Sequence, residues 1–252
     1  MTAFLSYTWL EIRRTLRNPR YLLFTVGFPV GFYLLFTMLY GNQTMGSGAG
    51  AVSFTAEYMV AMAAYGAMGA ALNSNSASLS AERAAGWSRQ LRVTPLAPMA
   101  YVFGKAAMAV LVALPALLMV SLLGVLVHHV QMSASAWLGF LLGTWIGTVP
   151  FAVLGVLMGY ALDSQSAGGG MMIVYFGLSI LGGMWFPYQA MPHTMQVIAR
   201  VLPSYHFASL GWNALAGHWV GWNNIQVLAI YTVIFGVLAM RRYQRDEARE
   251  YA

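Results

Sequence analysis

Residues 80–105, SAERAAGWSRQLRVTPLAPMAYVFGK, form the one long polar interruption in an otherwise apolar chain. They carry three arginines and Lys105 against a single acid, Glu82. Ser80 can cap a short helix whose first turn holds Glu82, where the helix macrodipole favours an acid, and Pro98 suits the first turn of the next helix. The stretch therefore predicts a short amphipathic helix on a membrane surface, joined at both ends to long apolar segments.

The composition places the chain in the bilayer. Of its 252 residues, 59% are hydrophobic and only 8% are charged, whereas a soluble domain is about a quarter charged. We therefore expect an all-α integral membrane protein with no soluble domain of useful size. Cysteine is absent, which excludes disulfides and thiolate metal sites.

Six apolar runs predict six transmembrane helices within a single domain over residues 1–252, because about 20 apolar residues cross a bilayer. The predicted spans cover residues 21–40, 54–79, 99–127, 137–162, 171–186 and 222–240. In the fourth span, glycines 139, 143 and 147 predict close helix packing, within the chain or at an interface between chains.

Two further segments are predicted to lie at or partly within the membrane. Residues 1–20 place Leu5, Trp9, Ile12 and Leu16 on one helical face, which predicts an N-terminal amphipathic interfacial helix. A solvated positive flank is the alternative. Residues 187–221 are apolar but broken by three prolines, and they predict a re-entrant or interfacial pair of short helices.

The basic residues predict the orientation. With six spans, twelve of the thirteen Lys and Arg fall on one side, and only Arg200 falls on the other. The positive-inside rule makes that side cytoplasmic, so both termini and the loop 80–98 are cytoplasmic and region 187–221 is extracellular. We expect a multi-pass protein of the plasma membrane. The net charge of +6 then reflects topology, and no nucleic-acid partner is expected.

Several chemistries lack a sequence signal. No GxxxxGK[ST] segment occurs, so the chain does not bind ATP in the P-loop manner, and no HExxH pair occurs. No acid or base lies clearly in the middle of a span, which argues against a proton-driven carrier. Histidines 193, 206 and 218 leave an intramembrane enzyme open, without a nucleophile motif to support it. A channel or membrane scaffold without energy coupling also stays open.

Two motif groups carry a resemblance to a known family. The first comprises Glu82-Arg83, Gly86, Leu91, Thr94-Pro95-Leu96, Tyr101 and Gly104-Lys105, and the second comprises Gly182-Gly183, Phe186-Pro187, Met191-Pro192, Pro203 and Tyr205. With these motifs the chain resembles the ABC-2 type permeases, the membrane subunits of one class of ABC exporter, and most closely the drug-export permeases. The resemblance extends over nearly the whole chain.

The resemblance implies a permease without catalytic residues, metal or cofactor of its own. A separate ABC subunit would bind ATP and Mg. Two copies of the permease would pair, and we expect a homodimer. The cargo would be a hydrophobic or amphipathic drug, antibiotic or lipid. The N-terminal helix and the loop would transmit ATP-driven closure to the spans. The coupling candidates are Glu82, Arg83, Gly86, Trp87, Arg89 and Arg92. Ala84 and Ala85 stand where many relatives carry further charge.

The resemblance also implies that the second and fifth spans line the pathway. Seventeen methionines suit a pocket for varied apolar ligands. The pathway candidates are Tyr65, Met68, Tyr175 and Phe176, with Asn73 and Asn75 at a hydrated entrance or in interhelical hydrogen bonds. The region 187–221 would form an outer gate, whose candidates are Phe186, Pro187, Pro192 and Pro203.

Overall fold

The computed structural model describes residues 23–41, 43–45, 52–84, 98–163, 165–218 and 221–249. The predicted N-terminal helix over residues 1–20 lies outside these ranges. So do four of the coupling candidates, Gly86, Trp87, Arg89 and Arg92.

Helices make up most of the described chain. They are α1 (Phe28–Tyr40), α2 (Phe54–Ala84), α3 (Pro98–Val112), α4 (Leu114–His128), α5 (Ala134–Gly147), α6 (Val149–Ala161), α7 (Ala167–Leu181), α8 (His193–Val201), α9 (Pro203–Leu215) and α10 (Trp222–Arg249). A π-helical turn at Leu23–Gly27 precedes α1, and a 3₁₀ turn at Tyr188–Ala190 precedes α8. Strands β1 (Thr44–Met45) and β2 (Val52–Ser53) form a short antiparallel hairpin before α2, with Thr44 opposite Ser53.

Helix α2 is the centre of the fold. Every residue from 58 to 72 is buried, and α2 contacts α1, α4, α6, α7 and α9. This segment, YMVAMAAYGAMGAAL, has no polar face, as expected of a helix surrounded by other helices. Its alanines and glycines let neighbouring backbones approach closely. At Gly155 of α6, a Cβ would lie 2.5 Å from the carbonyl oxygen of Leu72.

Prolines divide two of the predicted spans. Pro115 and Pro150 stand in the first turns of α4 and α6, after single-residue breaks at Ala113 and Thr148. A proline has no N–H to donate, so it fits the start of a helix better than its interior. Phe103–His128 and Ala134–Ala161 nevertheless each run as one long apolar stretch.

Three helical stretches of the described residues are long and apolar enough to cross a membrane: Phe103–His128, Ala134–Ala161 and Trp222–Arg245. Thr25–Tyr40 and Ala167–Leu181 are shorter apolar helices. The latter lies about one turn earlier than the predicted span 171–186. Helix α2 is also long enough to cross a membrane, but its alanine-rich and partly polar composition makes it less apolar than those three stretches. The count of six spans therefore stays a prediction, as does the re-entrant placement of α8 and α9.

Side-chain contacts between helices define the two ends of the bundle. At the hairpin end, Tyr40 of α1 contacts Phe54 of α2. At the other end, called the loop end, Arg83 of α2 meets the last turn of α6. This loop end is the predicted cytoplasmic side.

The glycines of α5 pack within the chain. A Cβ at Gly147 would lie 2.9 Å from side-chain atoms of Leu210 and Phe207, and one at Gly139 would lie 3.5 Å from Ala214. All three neighbours belong to α9. At these two positions the spacing therefore serves contact between α5 and α9 of one chain.

Candidate functional site

A cluster of polar side chains joins three helices at the loop end; its members are Asn75, Glu82, Arg83, Lys105 and Tyr160, and we call it the loop-end cluster. The Nζ of Lys105 lies 2.7 Å from the Oε1 of Glu82. The lysine side chain is 4% exposed and the glutamate 20%. An ammonium this well removed from water needs an anionic partner, and Glu82 supplies one across the α2–α3 contact.

Arg83 connects α2 to the C-terminus of α6. Its guanidinium donates from one nitrogen towards the carbonyl oxygens of Gly159, Tyr160 and Leu162, at 3.0, 3.2 and 3.4 Å. These carbonyls belong to the end of α6, where the macrodipole is negative and a cation is stabilised. The guanidinium carbon also lies 5.6 Å from the ring centre of Tyr160.

Asn75 adds a second connection between α2 and α3. Its Nδ2 donates to the carbonyl oxygen of Lys105 at 2.9 Å, and the side chain is 2% exposed. Asn73 instead donates to Gly69 in its own helix. Of the two roles open to Asn75, the structure thus shows the interhelical hydrogen bond.

The turn after α6 is ordered by Asp163. Its carboxylate accepts hydrogen bonds from the Ser166 side chain and backbone N–H, both at 2.7 Å, and from the Gln165 N–H. These bonds favour the ionised form, so the pKa of Asp163 is lowered, mainly by the Ser166 side chain.

The pathway candidates on α2 and α7 meet in the core of the bundle. The Tyr175 hydroxyl donates to the carbonyl oxygen of Tyr65 at 3.0 Å, and the two rings stack with centres 4.7 Å apart. Gly69 makes room for this contact, because a Cβ there would lie 2.5 Å from the Tyr175 hydroxyl oxygen. Met68 is fully buried. In this conformation α2 and α7 are therefore packed against each other.

Phe176 lies at the edge of the same contact. Its ring belongs to an aromatic group that links α1, α2 and α7, whose other members are Phe28, Phe32, Tyr65 and Trp185. Trp185 also donates to the Ser179 hydroxyl at 3.1 Å, which holds the chain after α7 against that helix.

The outer-gate candidates are spread along the hairpin end. Phe186 is 53% exposed, Pro192 is exposed, Pro187 is partly buried and Pro203 is buried at the start of α9. Gly183 has φ +80°, a backbone conformation that favours glycine, and it turns the chain sharply after α7. The four candidates thus flank the turn and α8 without forming one contact.

His206 has a structural role in α9. Its Nε2 lies 2.8 Å from the Arg200 carbonyl oxygen, and its Nδ1 lies 2.8 Å from the side-chain Oδ1 of Asn224 in α10. The side chain is 6% exposed. His193 and His218 are exposed, and the described residues contain no cluster of three metal-ligating side chains. His206 therefore joins α8, α9 and α10 rather than presenting a free base.

Sequence reasoning missed two groups. Lys105 was not a site candidate, although a lysine inside an apolar run is a signal for a buried partner. The second group lines a cavity of about 300 Å³ at the hairpin end and includes Glu57, Tyr188, Tyr205 and Trp212. In the sequence, only the position of Glu57 near the start of a span could have indicated this cavity. The aromatic residues of its wall come from a distant stretch of sequence, so no local pattern links them to Glu57.

These observations define a helical membrane protein whose polar contacts concentrate at the bundle ends. The family model for ABC-2 type transporters matches residues 2–214, and the chain belongs to that family. It is similar to a protein of Bacillus subtilis (strain 168) named "Putative transport permease YvfS", with 30% identity over 240 residues that cover 94% of this chain and 96% of the relative. The resemblance to the ABC-2 type permeases drawn from the sequence is thereby confirmed. The protein is a transporter permease rather than an enzyme, and its family implies in general an ATP-binding partner subunit.

Proposed function

We propose that the chain is the membrane-spanning subunit of an ATP-driven exporter that moves a hydrophobic or amphipathic substrate such as a drug, an antibiotic or a lipid. Two copies, taken to be identical, pair in the plasma membrane, each with six spans and cytoplasmic termini. A separate subunit binds ATP and Mg. Family membership supports the permease role, and the absence of a P-loop in this sequence supports a separate ATPase.

The observation that carries the proposal is the loop-end cluster. Glu82 and Arg83 end the central helix α2, and they bind α3 through Lys105 and α6 through its terminal carbonyls. A force applied to the adjoining loop would therefore reach three helices through polar contacts rather than α2 alone. We infer that this is how closure of the ATPase is transmitted, with Gly86, Trp87, Arg89 and Arg92 contributing the docking surface.

The proposed transport pathway rests on the contact between α2 and α7. Tyr65, Met68 and Tyr175 are buried within one chain, with Phe176 at their edge. We infer that this packing is the closed state and that coupling separates α2 from α7, which exposes these side chains with the polar end of α2 at Asn73 and Asn75. Phe186, Pro187, Pro192 and Pro203 flank the outer exit.

The experiment is affinity capture of the tagged chain from its native membrane in mild detergent, followed by mass spectrometry. We expect a P-loop ATPase in near-equal amount, with its ATPase rate stimulated by the permease. The variant Glu82→Gln should keep the ATPase bound but lose that stimulation, whereas Arg242→Gln, at an exposed site on α10, should keep both. Recovery of the chain as a homo-oligomer without any ATPase would contradict the proposal and favour a channel or scaffold.

A further inference from the structure

The hairpin end contains a cavity of about 300 Å³ that the transport mechanism above does not use. We call it the hairpin-end cavity. Helix α2 contributes one wall through Glu57, α9 contributes another, and the 3₁₀ turn before α8 closes it with Tyr188 and Gln189. Its size lies at the lower limit of ordinary ligand pockets, about 300–1,000 Å³, so it suits a small molecule or a single head group.

The cavity has an acid without a counter-ion. Among the described residues, Glu57 makes no ion pair, and no other acidic side chain lines the cavity. Arg200 stands on the Tyr188 side of the cavity: its Nε donates to the Tyr188 hydroxyl at 2.7 Å, and its guanidinium carbon lies 6.0 Å from the centre of that ring. It forms no ion pair with Glu57 among the described residues.

Aromatic rings form much of the remaining wall. Tyr205 lies at their centre, 4.8 Å from the ring of Tyr188 and 6.3 Å from that of Trp212. Trp212 also has a buried indole N–H without a hydrogen-bond partner among the described residues. Ser209 and Asn213 line the same space and could bind further polar groups.

We propose that the hairpin-end cavity binds an organic ammonium ion, with Glu57 as its counter-ion and the rings of Tyr205 and Trp212 as its cation–π partners. A carboxylate beside several aromatic faces is the chemistry that recognises quaternary and primary amines. A neutral apolar ligand would leave Glu57 unpaired, and an anion would face it directly. The ammonium could belong to a soluble cation or to a lipid head group.

The test is calorimetric titration of the full-length chain, reconstituted in phosphatidylglycerol nanodiscs, with choline and with its uncharged isostere 3,3-dimethylbutan-1-ol. We expect choline to bind and the isostere to bind at least about tenfold more weakly. Glu57→Gln should reduce choline affinity by about tenfold, since it removes the charge and keeps the shape. Asp163→Asn, which removes the same charge at the loop end, should leave it unchanged.

A second arm identifies the source of the ammonium. In phosphatidylcholine nanodiscs, weaker apparent choline binding would assign the site to a lipid head group, and unchanged binding would assign it to a soluble cation. Equal affinity for choline and its isostere, or wild-type affinity in Glu57→Gln, would overturn the proposal. No nucleotide or ATPase is present, so the result is independent of whether the exporter function holds.

Discussion

Lys105 and Glu82 form an ion pair at 2.7 Å in which the lysine is almost wholly buried, although 23 residues separate them in the chain. The lysine depends on this partner, because an unpaired charge at a buried position is costly. The contact fixes the end of α2, the most buried helix, to α3. It therefore stabilises the bundle at the point where the predicted coupling loop begins.

The first prediction concerns this pair. Glu82→Ala should lower the free energy of unfolding by roughly 1–3 kcal/mol, less than a fully buried pair would lose because Glu82 is partly exposed. Lys105→Met should cost less, since it leaves only a partly hydrated carboxylate. The measurement is unfolding in mixed micelles, read by tryptophan fluorescence.

A double-mutant cycle separates the pair from its surroundings. The variant Glu82→Ala with Lys105→Met should be closer to wild type than the sum of the two single changes. Additive losses would show that the two side chains act independently, and they would contradict the ion pair.

The second prediction concerns Arg83. Arg83→Gln should destabilise the chain by about 1 kcal/mol, because the terminal carbonyls of α6 lose a charged donor. Once the ATPase partner is identified, this variant should also reduce stimulation of its ATPase rate. Arg83→Lys should recover part of the stability, since the charge stays while the planar donor geometry is lost. Full activity and stability in Arg83→Gln would count against the assigned connection.

The third prediction concerns Gly155. Gly155→Ala would place a Cβ 2.5 Å from the backbone oxygen of Leu72, and backbone cannot turn aside as a side chain can. We expect a loss of roughly 1–3 kcal/mol in thermal or denaturant unfolding. Gly31→Ala is the matched control, because Gly31 has open space within 4 Å and alanine favours the helix. If both variants unfold alike, the close approach of α2 and α6 is wrong.

The fourth prediction concerns the histidines. His206→Ala should reduce thermal stability by about 2 kcal/mol, since two hydrogen bonds of a buried side chain are lost. The double variant His193→Ala with His218→Ala should keep both stability and transport, because both side chains are exposed. Loss of activity in that folded double variant would instead support the enzyme interpretation.

The sequence alone determined the class of the protein. It ended the second span at residue 79 with Ser80 as the cap of a new helix, whereas α2 continues through Ser80 to Ala84. The low charge, the apolar runs and the Thr94-Pro95-Leu96 motif indicated an ABC-2 type permease, which the comparisons confirm. Hydrophobicity is a property of composition, so it can be read without coordinates. A pair of short helices in this region was also predictable, because proline limits where a helix can begin: α8 follows Pro192, and α9 begins at Pro203.

Only the tertiary structure decided which polar groups meet. Glu82 and Lys105 lie on different helices, and no sequence pattern predicts that they meet. The packing of α2 against α3 creates the pair. Likewise Glu57 and Tyr205 share a cavity although 148 positions separate their numbers. Helix packing in this bundle depends on small residues with weak sequence signals, so long-range contacts follow from the folded arrangement and not from local pattern.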